Sequence, residues 1–130
     1  MIEFHLEARS GVPTYLQLVQ QVRQAIRLGV LRPGDQLPTV KEVVSRLTIN
    51  PNTVLRAYRE LDLEGLVEGR RGVGTFVAAA AAPLPQHDVK ALRKALGKWV
   101  ASARAVGLDD DNMYALFTDV VRPPIVSSVA

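Results

Sequence analysis

Apolar residues recur at steps of three and four along much of the chain, a pattern typical of amphipathic helices. From Thr14 to about Leu28 one face is apolar, and glutamines and arginines occupy the other. The apolar positions are Tyr15, Val19, Val22 and Ile26. We predict a helix that ends at Gly29, because glycine readily adopts the left-handed conformation common at helix ends. On this pattern Tyr15 is a core residue, and Gln17 lies on the solvated side.

The first residues of the chain follow a different period. Ile2, Phe4 and Leu6 alternate with polar residues. Such alternation predicts a short strand with one buried face, placed ahead of the first helix.

Two further helices are predicted from their capping residues. Thr39 is followed three residues later by Glu42, the spacing of a capping box, and this predicts a helix over 40–47. Asn50 is a preferred cap with a proline behind it, which predicts another helix from residue 51 to about 64, ending at Gly65. The three residues 48–50, "TIN", break the chain between them. The core side of the second helix is predicted to consist of Val54, Ala57 and Leu61, with Tyr58 partly buried.

A short hairpin and two more helices complete the predicted order. The runs "LVEG" and "GTFV" are strand-like and are joined by "RRGV". We predict a domain over 1–77, an Ala/Pro linker over 78–86, a two-helix region over 87–122 and a frayed tail over 123–130. The two-helix region is too small to cover both of its apolar stripes, so we expect it to form a homodimer. The predicted dimerisation residues are Leu92, Leu96, Trp99, Val100, Phe117 and Val121.

Positive charge collects where a helix-turn-helix protein would need it. The net charge is +3, and between Lys41 and Arg59 four basic residues accompany a single acid, Glu42. Two helices joined by a tight turn and followed by a basic hairpin are typical of a DNA-binding winged helix-turn-helix. Helix starts at Thr39 and Asn50 would bind phosphate, and the first turn of the second helix would meet base edges. The residues proposed to contact duplex DNA are Asn50, Asn52, Thr53 and Arg56 on the helix, and Arg70, Arg71 and Gly72 at the hairpin tip.

Composition argues against other classes of protein. The chain has no cysteine and only two histidines, His5 and His87, far apart in sequence, so we expect no metal site and no cofactor. No paired carboxylates, nucleophile arrangement or phosphate-binding loop predicts a catalytic residue, so an enzyme is disfavoured. The apolar runs are shorter than the roughly 20 residues that cross a bilayer, and no signal peptide is visible. We therefore expect a cytoplasmic protein with no membrane association.

The segments "PTYLQLVQQVRQAIRLGVLRPGDQLP", "LPTVKEVVSRL" and "INPNTVLRAYRELDLEGLVEGRRGVGTFV" resemble the winged helix of GntR-family transcription regulators. The likeness spans about residues 1–78, and the short remainder resembles the YtrA subfamily, where it implies a dimerisation element. The resemblance adds Lys41 to the expected DNA contacts. Three positions depart from the family pattern: Thr48 where the turn often has glycine, Leu55 where a polar side chain is common, and Val73 where the wing is often basic.

The sequence thus predicts a mainly α fold with a small β-wing, a winged helix-turn-helix followed by a two-helix dimerisation element. The predicted function is a sequence-specific transcription regulator, a dimeric repressor on an inverted repeat in promoter DNA. Relief by a small effector stays open. The alternative is a winged-helix module for non-specific nucleic-acid or protein binding.

Overall fold

The computed structural model describes residues 2–81 and 86–124. In these ranges the chain forms five helices and one antiparallel hairpin, in the predicted order. They are α1 (Thr14–Arg27), α2 (Val40–Leu47), α3 (Pro51–Leu63), β1 (Val67–Arg70), β2 (Gly74–Val77), α4 (Gln86–Ala105) and α5 (Asp110–Val121). The mainly helical winged fold is therefore confirmed.

The chain divides into two compact units, one that ends at Gln86 and one that begins at His87. DNA binding by the first segment and dimerisation by the second remain predictions. Residues 82–85 of the predicted linker and 125–130 of the predicted tail lie outside the described residues.

The core of the first unit is built around α3, against which α1, α2 and β1 pack. Val54, Ala57 and Leu61 have no exposed surface, as their spacing on the helix predicts, and Tyr58, which was expected to be partly buried, is only 7% exposed. Leu18 and Val22 of α1 are fully buried in the same cluster. Because one side of α3 is completely buried against the core, the helix cannot rotate about its axis, and its other side faces solvent.

The predicted strand at the start of the chain does not form, and this prediction was wrong. Residues 2–7 carry no strand assignment, although Ile2 is buried and Phe4 and Leu6 pack partly against the core. Their backbone bonds to glutamine side chains of α1 instead. The Gln21 amide donates to the His5 carbonyl at 2.7 Å and its oxygen accepts from the His5 N–H at 3.2 Å. The alternation of apolar and polar residues therefore indicated correctly which side chains are buried. The backbone of this segment, however, has no neighbouring strand with which to form a ladder of hydrogen bonds.

Gln17 was also predicted wrongly, because it is buried rather than solvated. Its oxygen accepts from the Glu7 N–H at 2.8 Å, and its amide donates to the Glu7 carbonyl at 3.1 Å and to the Val12 carbonyl at 2.9 Å. The loop ahead of α1 folds over this side chain and satisfies it. Such a buried amide ties the loop to the helix, since leaving any of these groups unpaired would carry a desolvation cost.

The hairpin is attached to the rest of the first unit by the loop that precedes α2. The Leu37 N–H donates to the Thr75 carbonyl at 2.8 Å, and the Val77 N–H donates to the Asp35 carbonyl at 2.8 Å. Gln36 and Phe76 form an isolated antiparallel bridge. This loop therefore serves as a short third strand, and it fixes the hairpin beside the start of α2.

In the second unit, α4 and α5 are joined at Gly107, where φ is 94°. The Asp109 carboxylate accepts from the Asn112 N–H at 2.8 Å and caps α5, whose first turn is acidic. Among the described residues of this unit, Ala103 and Met113 are the buried apolar ones.

Candidate nucleic-acid interface

The turn between α2 and α3 forms with threonine in a left-handed conformation. Thr48 has φ 53° and ψ 52°, and its N–H donates to the Val44 carbonyl at 2.9 Å, which closes α2. It is the one residue other than glycine with a positive φ in the described ranges. The tight helix-turn-helix geometry is therefore present although a β-branched residue stands where glycine would be easier.

Thr39 lies at the start of α2 and is engaged by a capping box. Its hydroxyl oxygen accepts from the Glu42 N–H at 3.1 Å, and the Glu42 carboxylate accepts from the Thr39 N–H at 3.2 Å. The next residue but one, Lys41, is exposed. A phosphate here would meet the remaining amides of the first turn and the Lys41 ammonium, with the Glu42 carboxylate close by.

Asn50 caps α3 with its side chain. The Asn50 oxygen accepts from the Asn52 N–H at 2.8 Å, and the Thr53 N–H donates to the Asn50 carbonyl at 3.0 Å. Both asparagines are exposed, whereas Thr53 is partly buried. Asn52 is therefore the more available of the predicted polar side chains for contact with a base edge.

The outward side of α3 presents Leu55, Arg56 and Arg59, all of which are exposed. The Arg56 guanidinium carbon lies 3.8 Å from the centroid of the Tyr15 ring, a cation–π contact. Tyr15 was assigned to the core on sequence, and it does pack partly against the core, but its ring also supports a predicted reading side chain. Sequence reasoning missed this role because periodicity along α1 does not indicate what lies over its first turn.

Tyr58 ties α3 to the residue that precedes the α2 cap. Its hydroxyl donates to the Pro38 carbonyl at 2.6 Å. Burial, and secondarily the nearby Glu42 carboxylate, raise the pKa of Tyr58 well above its ordinary value. The tyrosine is thus a neutral donor at any physiological pH, and it sets the position of α3 against the start of α2.

The predicted wing residues occupy the hairpin tip as expected, but their environments differ. Arg70 lies over the Phe76 ring at 4.4 Å, and its guanidinium is 3.4 Å from the Glu68 carboxylate. Arg71 and Gly72 are exposed in the turn, and Gly72 has φ 74°. Arg70 is therefore partly neutralised within the wing, which leaves Arg71 as the stronger candidate for a phosphate.

The wing and the start of α2 face each other across an open groove of about 500 Å³. It is lined by Thr39 and by wing residues that include Arg70, Arg71 and Gly72. The Gln36 side chain contacts the turn of the wing, where its amide donates to the Val73 carbonyl at 3.4 Å. Gly74 has φ 143°, a backbone conformation that favours glycine, and a Cβ there would displace the end of the Gln36 side chain. The fold thus brings the predicted phosphate contacts at the α2 start and at the wing to one surface.

The predicted dimerisation side chains lie on the second unit and are largely uncovered there. Leu92, Leu96, Phe117 and Val121 are 67%, 47%, 46% and 57% exposed. Trp99 and Val100 are partly buried. Exposed apolar stripes on two adjacent helices are the kind of surface that a second protein chain covers.

Within the described ranges, no group of three or more histidine, cysteine, aspartate or glutamate side chains could hold a metal ion. None of the helices in that part of the chain combines the length and the apolar character needed to cross a membrane.

Comparison with known proteins gives a consistent result. Residues 14–77 match the family described as bacterial regulatory proteins, gntR family. The chain is 31% identical to the HTH-type transcriptional repressor YtrA of Bacillus subtilis (strain 168), over 88% of this chain and 89% of that protein. The solved structure of YtrA from Sulfolobus acidocaldarius, a GntR-family transcription factor, has a TM-score of 0.54 and 27% identity, and the match covers 91% and 96% of the two chains. The DNA-binding domain of AraR in complex with operator ORX1 matches with a TM-score of 0.50 and 27% identity, over 60% of this chain and 93% of that one.

Proposed function

Because the chain belongs to the GntR family of bacterial regulatory proteins, a family of DNA-binding transcription regulators and not of enzymes, we propose that it is a repressor. In this proposal it binds an inverted repeat in promoter DNA as a homodimer and acts in the cytoplasm. The YtrA relative is named a repressor, and the AraR domain is bound to an operator. A small effector that relieves repression is compatible with this scheme.

The observation that carries the proposal is the division of α3 into a fully buried side and an exposed polar side. Val54, Ala57 and Leu61 hold the helix on the core, while Asn52 and Arg56 project from its first two turns into solvent. A helix held in this way can enter the major groove, where arginine pairs with guanine and asparagine with adenine.

Phosphate contacts are proposed at both edges of this reading surface. Thr39 and Lys41 lie at the start of α2, and the wing tip carries Arg70, Arg71 and Gly72. Asn50 and Thr53, at the start of α3, belong with Asn52 and Arg56 to the side chains proposed for base edges. Contacts to phosphates supply affinity and register with little base preference, so the residues of the α2 start and the wing and the side chains of α3 should have separable effects.

Dimer formation is proposed through α4 and α5. Leu92, Leu96, Phe117 and Val121 are exposed in the single chain, and a two-fold partner would cover the same stripe on both copies. Two reading helices would then meet two half-sites of opposite direction, roughly 34 Å apart or a multiple of it.

The test is a comparison of two arginine variants on DNA selected from a random duplex pool by the wild-type protein. Arg56→Ala should weaken selected DNA by about 1–3 kcal/mol and reduce its preference over unrelated DNA. Arg71→Ala should weaken all duplexes and reduce the slope of log affinity against log salt concentration by about one. Arg27→Ala serves as the matched control. It removes the same charge from the last turn of α1, near Glu64 and Leu66, which are not among the proposed DNA contacts.

If Arg56→Ala weakens selected and unrelated DNA equally, the reading role proposed for Arg56 is wrong. If no sequence is enriched from the pool by the wild type, sequence-specific regulation is contradicted. This second outcome would support the alternative of a non-specific nucleic-acid or protein-binding module, for which affinity is salt-dependent but the specificity ratio is small.

A further inference from the structure

Arg56 is held by an aromatic ring from a different helix. Its guanidinium carbon is 3.8 Å from the centroid of the Tyr15 ring. Tyr15 lies in the first turn of α1, and it is partly buried against the hydrophobic core. Since α1 packs directly on α3, the ring is a fixed support and not a mobile surface side chain.

A guanidinium that rests on a ring keeps its hydrogen-bonding capacity. Its five N–H donors lie in the plane of the group, so the contact with the ring face uses none of them. The attraction of the cation to the ring face limits the rotamers of the long arginine side chain before DNA binds, so less rotamer entropy is lost when the side chain is fixed on a base. The free protein therefore already restricts the group that we propose to read a base.

Two of the other arginines of the interface, Arg70 and Arg59, differ from Arg56 in this respect. Arg70 also lies over a ring, that of Phe76, but one of its guanidinium nitrogens is 3.4 Å from the Glu68 carboxylate, which partly neutralises it. Arg59, one turn along α3, is exposed. Of these, Arg56 combines an aromatic support with a place in the first two turns of α3, where base edges are reached.

We infer that Tyr15 is a positioning residue for base recognition: it holds the Arg56 guanidinium so that its donor edge faces the O6 and N7 acceptors of a guanine in each half-site. This inference rests on the proposed function. It assigns a part in DNA specificity to α1, which itself need not touch a base.

The experiment uses the full chain and the duplex that the wild-type protein selects from a random pool. Each guanine in one half-site is replaced in turn by 7-deazaguanine, which lacks the N7 acceptor, and affinities are measured for wild type, Tyr15→Leu, Arg56→Ala and the double variant. We expect one guanine at which the replacement weakens wild type. Discrimination is the ratio of the affinities for the guanine and the 7-deazaguanine duplex. At that guanine, Tyr15→Leu should reduce this ratio roughly two- to fivefold. The double variant should show no further reduction beyond that of Arg56→Ala alone.

The conservative variant and a matched control separate positioning from a structural role. Tyr15→Phe keeps a ring and should retain most of the discrimination. Leu16→Ala removes the neighbouring side chain, which also packs against the core, and should lower stability without changing base preference. Pentafluorophenylalanine at position 15 fills similar space but withdraws electron density from the ring face. It should therefore lose the same discrimination as Tyr15→Leu, and it tests the inference even if Tyr15→Leu folds poorly.

Three results would overturn the inference: unchanged discrimination in Tyr15→Leu, tighter binding by it, or equal discrimination with the fluorinated and the unfluorinated ring. Each of these leaves sequence-specific binding by the wild type intact. If the wild type enriches no sequence at all, the proposed function fails instead, so the two failures are distinguishable.

Discussion

Thr48 offers a direct test of how the turn between α2 and α3 is stabilised, through the substitution Thr48→Gly. Its φ of 53° is a conformation that side chains with a Cβ adopt at a cost of about 1–2 kcal/mol. Glycine removes that cost, but it adds about 0.5–1 kcal/mol of conformational entropy to the unfolded chain. The difference predicts that Thr48→Gly raises the free energy of unfolding by about 0.5–1 kcal/mol.

Ser45→Gly is the matched control, because Ser45 is exposed in the same helix but has right-handed helical geometry. There glycine gains nothing in the folded state, and we expect a loss of about 0.5 kcal/mol. Urea unfolding at one fixed protein concentration gives both values from the midpoints, with the slopes required to agree. If Thr48→Gly destabilised the protein, or if both variants shifted in the same direction, the assigned backbone strain at Thr48 would be wrong.

Three further predictions concern single side chains. Tyr58→Phe should lower stability by about 1–2 kcal/mol, because it leaves the buried Pro38 carbonyl without its donor. Folding raises the pKa of Tyr58, so the wild type should lose stability as pH rises past about 10, where the unfolded tyrosine ionises, and Tyr58→Phe should show less of this loss in unfolding titrations. If Leu55 contacts a thymine methyl, deoxyuridine in selected DNA should weaken wild type by about 0.8 kcal/mol, and Leu55→Ala should respond equally to both bases; a retained response would refute the contact. Phe117→Glu should convert a dimer to a monomer in sedimentation experiments, whereas Ala115→Glu, exposed on the opposite side of the same helix, should not; an unchanged mass for Phe117→Glu would exclude α5 from the interface.

The elements that the sequence predicted well are those that local signals define. The capping box at Thr39 and Glu42 and the asparagine–proline start at Asn50 gave the bounds of α2 and the start of α3 as observed. These caps are satisfied within three residues, so no distant partner is needed to recognise them.

The errors concern groups whose partners lie elsewhere in the chain. The alternation of Ile2, Phe4 and Leu6 cannot indicate whether another strand or a glutamine side chain will meet the backbone. Likewise, Gln17 was placed on the solvated side because the helix period does not reveal that residues 7–12 fold over it. The support of Arg56 by Tyr15 escaped the sequence for the same reason, since it joins two helices that are distant in sequence.

The two helix starts differ in how many backbone donors they leave for a ligand, and this bears on how DNA would be bound. At the start of α3, Pro51 has no N–H, and the N–H groups of Asn52 and Thr53 already donate to Asn50. This start therefore has little left with which to hold a phosphate, whatever its dipole contributes. At the start of α2 the capping box engages the N–H groups of Thr39 and Glu42, and the Lys41 ammonium is exposed beside them. Phosphate binding should accordingly depend on the α2 start and the wing, and α3 should contribute mainly the side chains that distinguish one base from another.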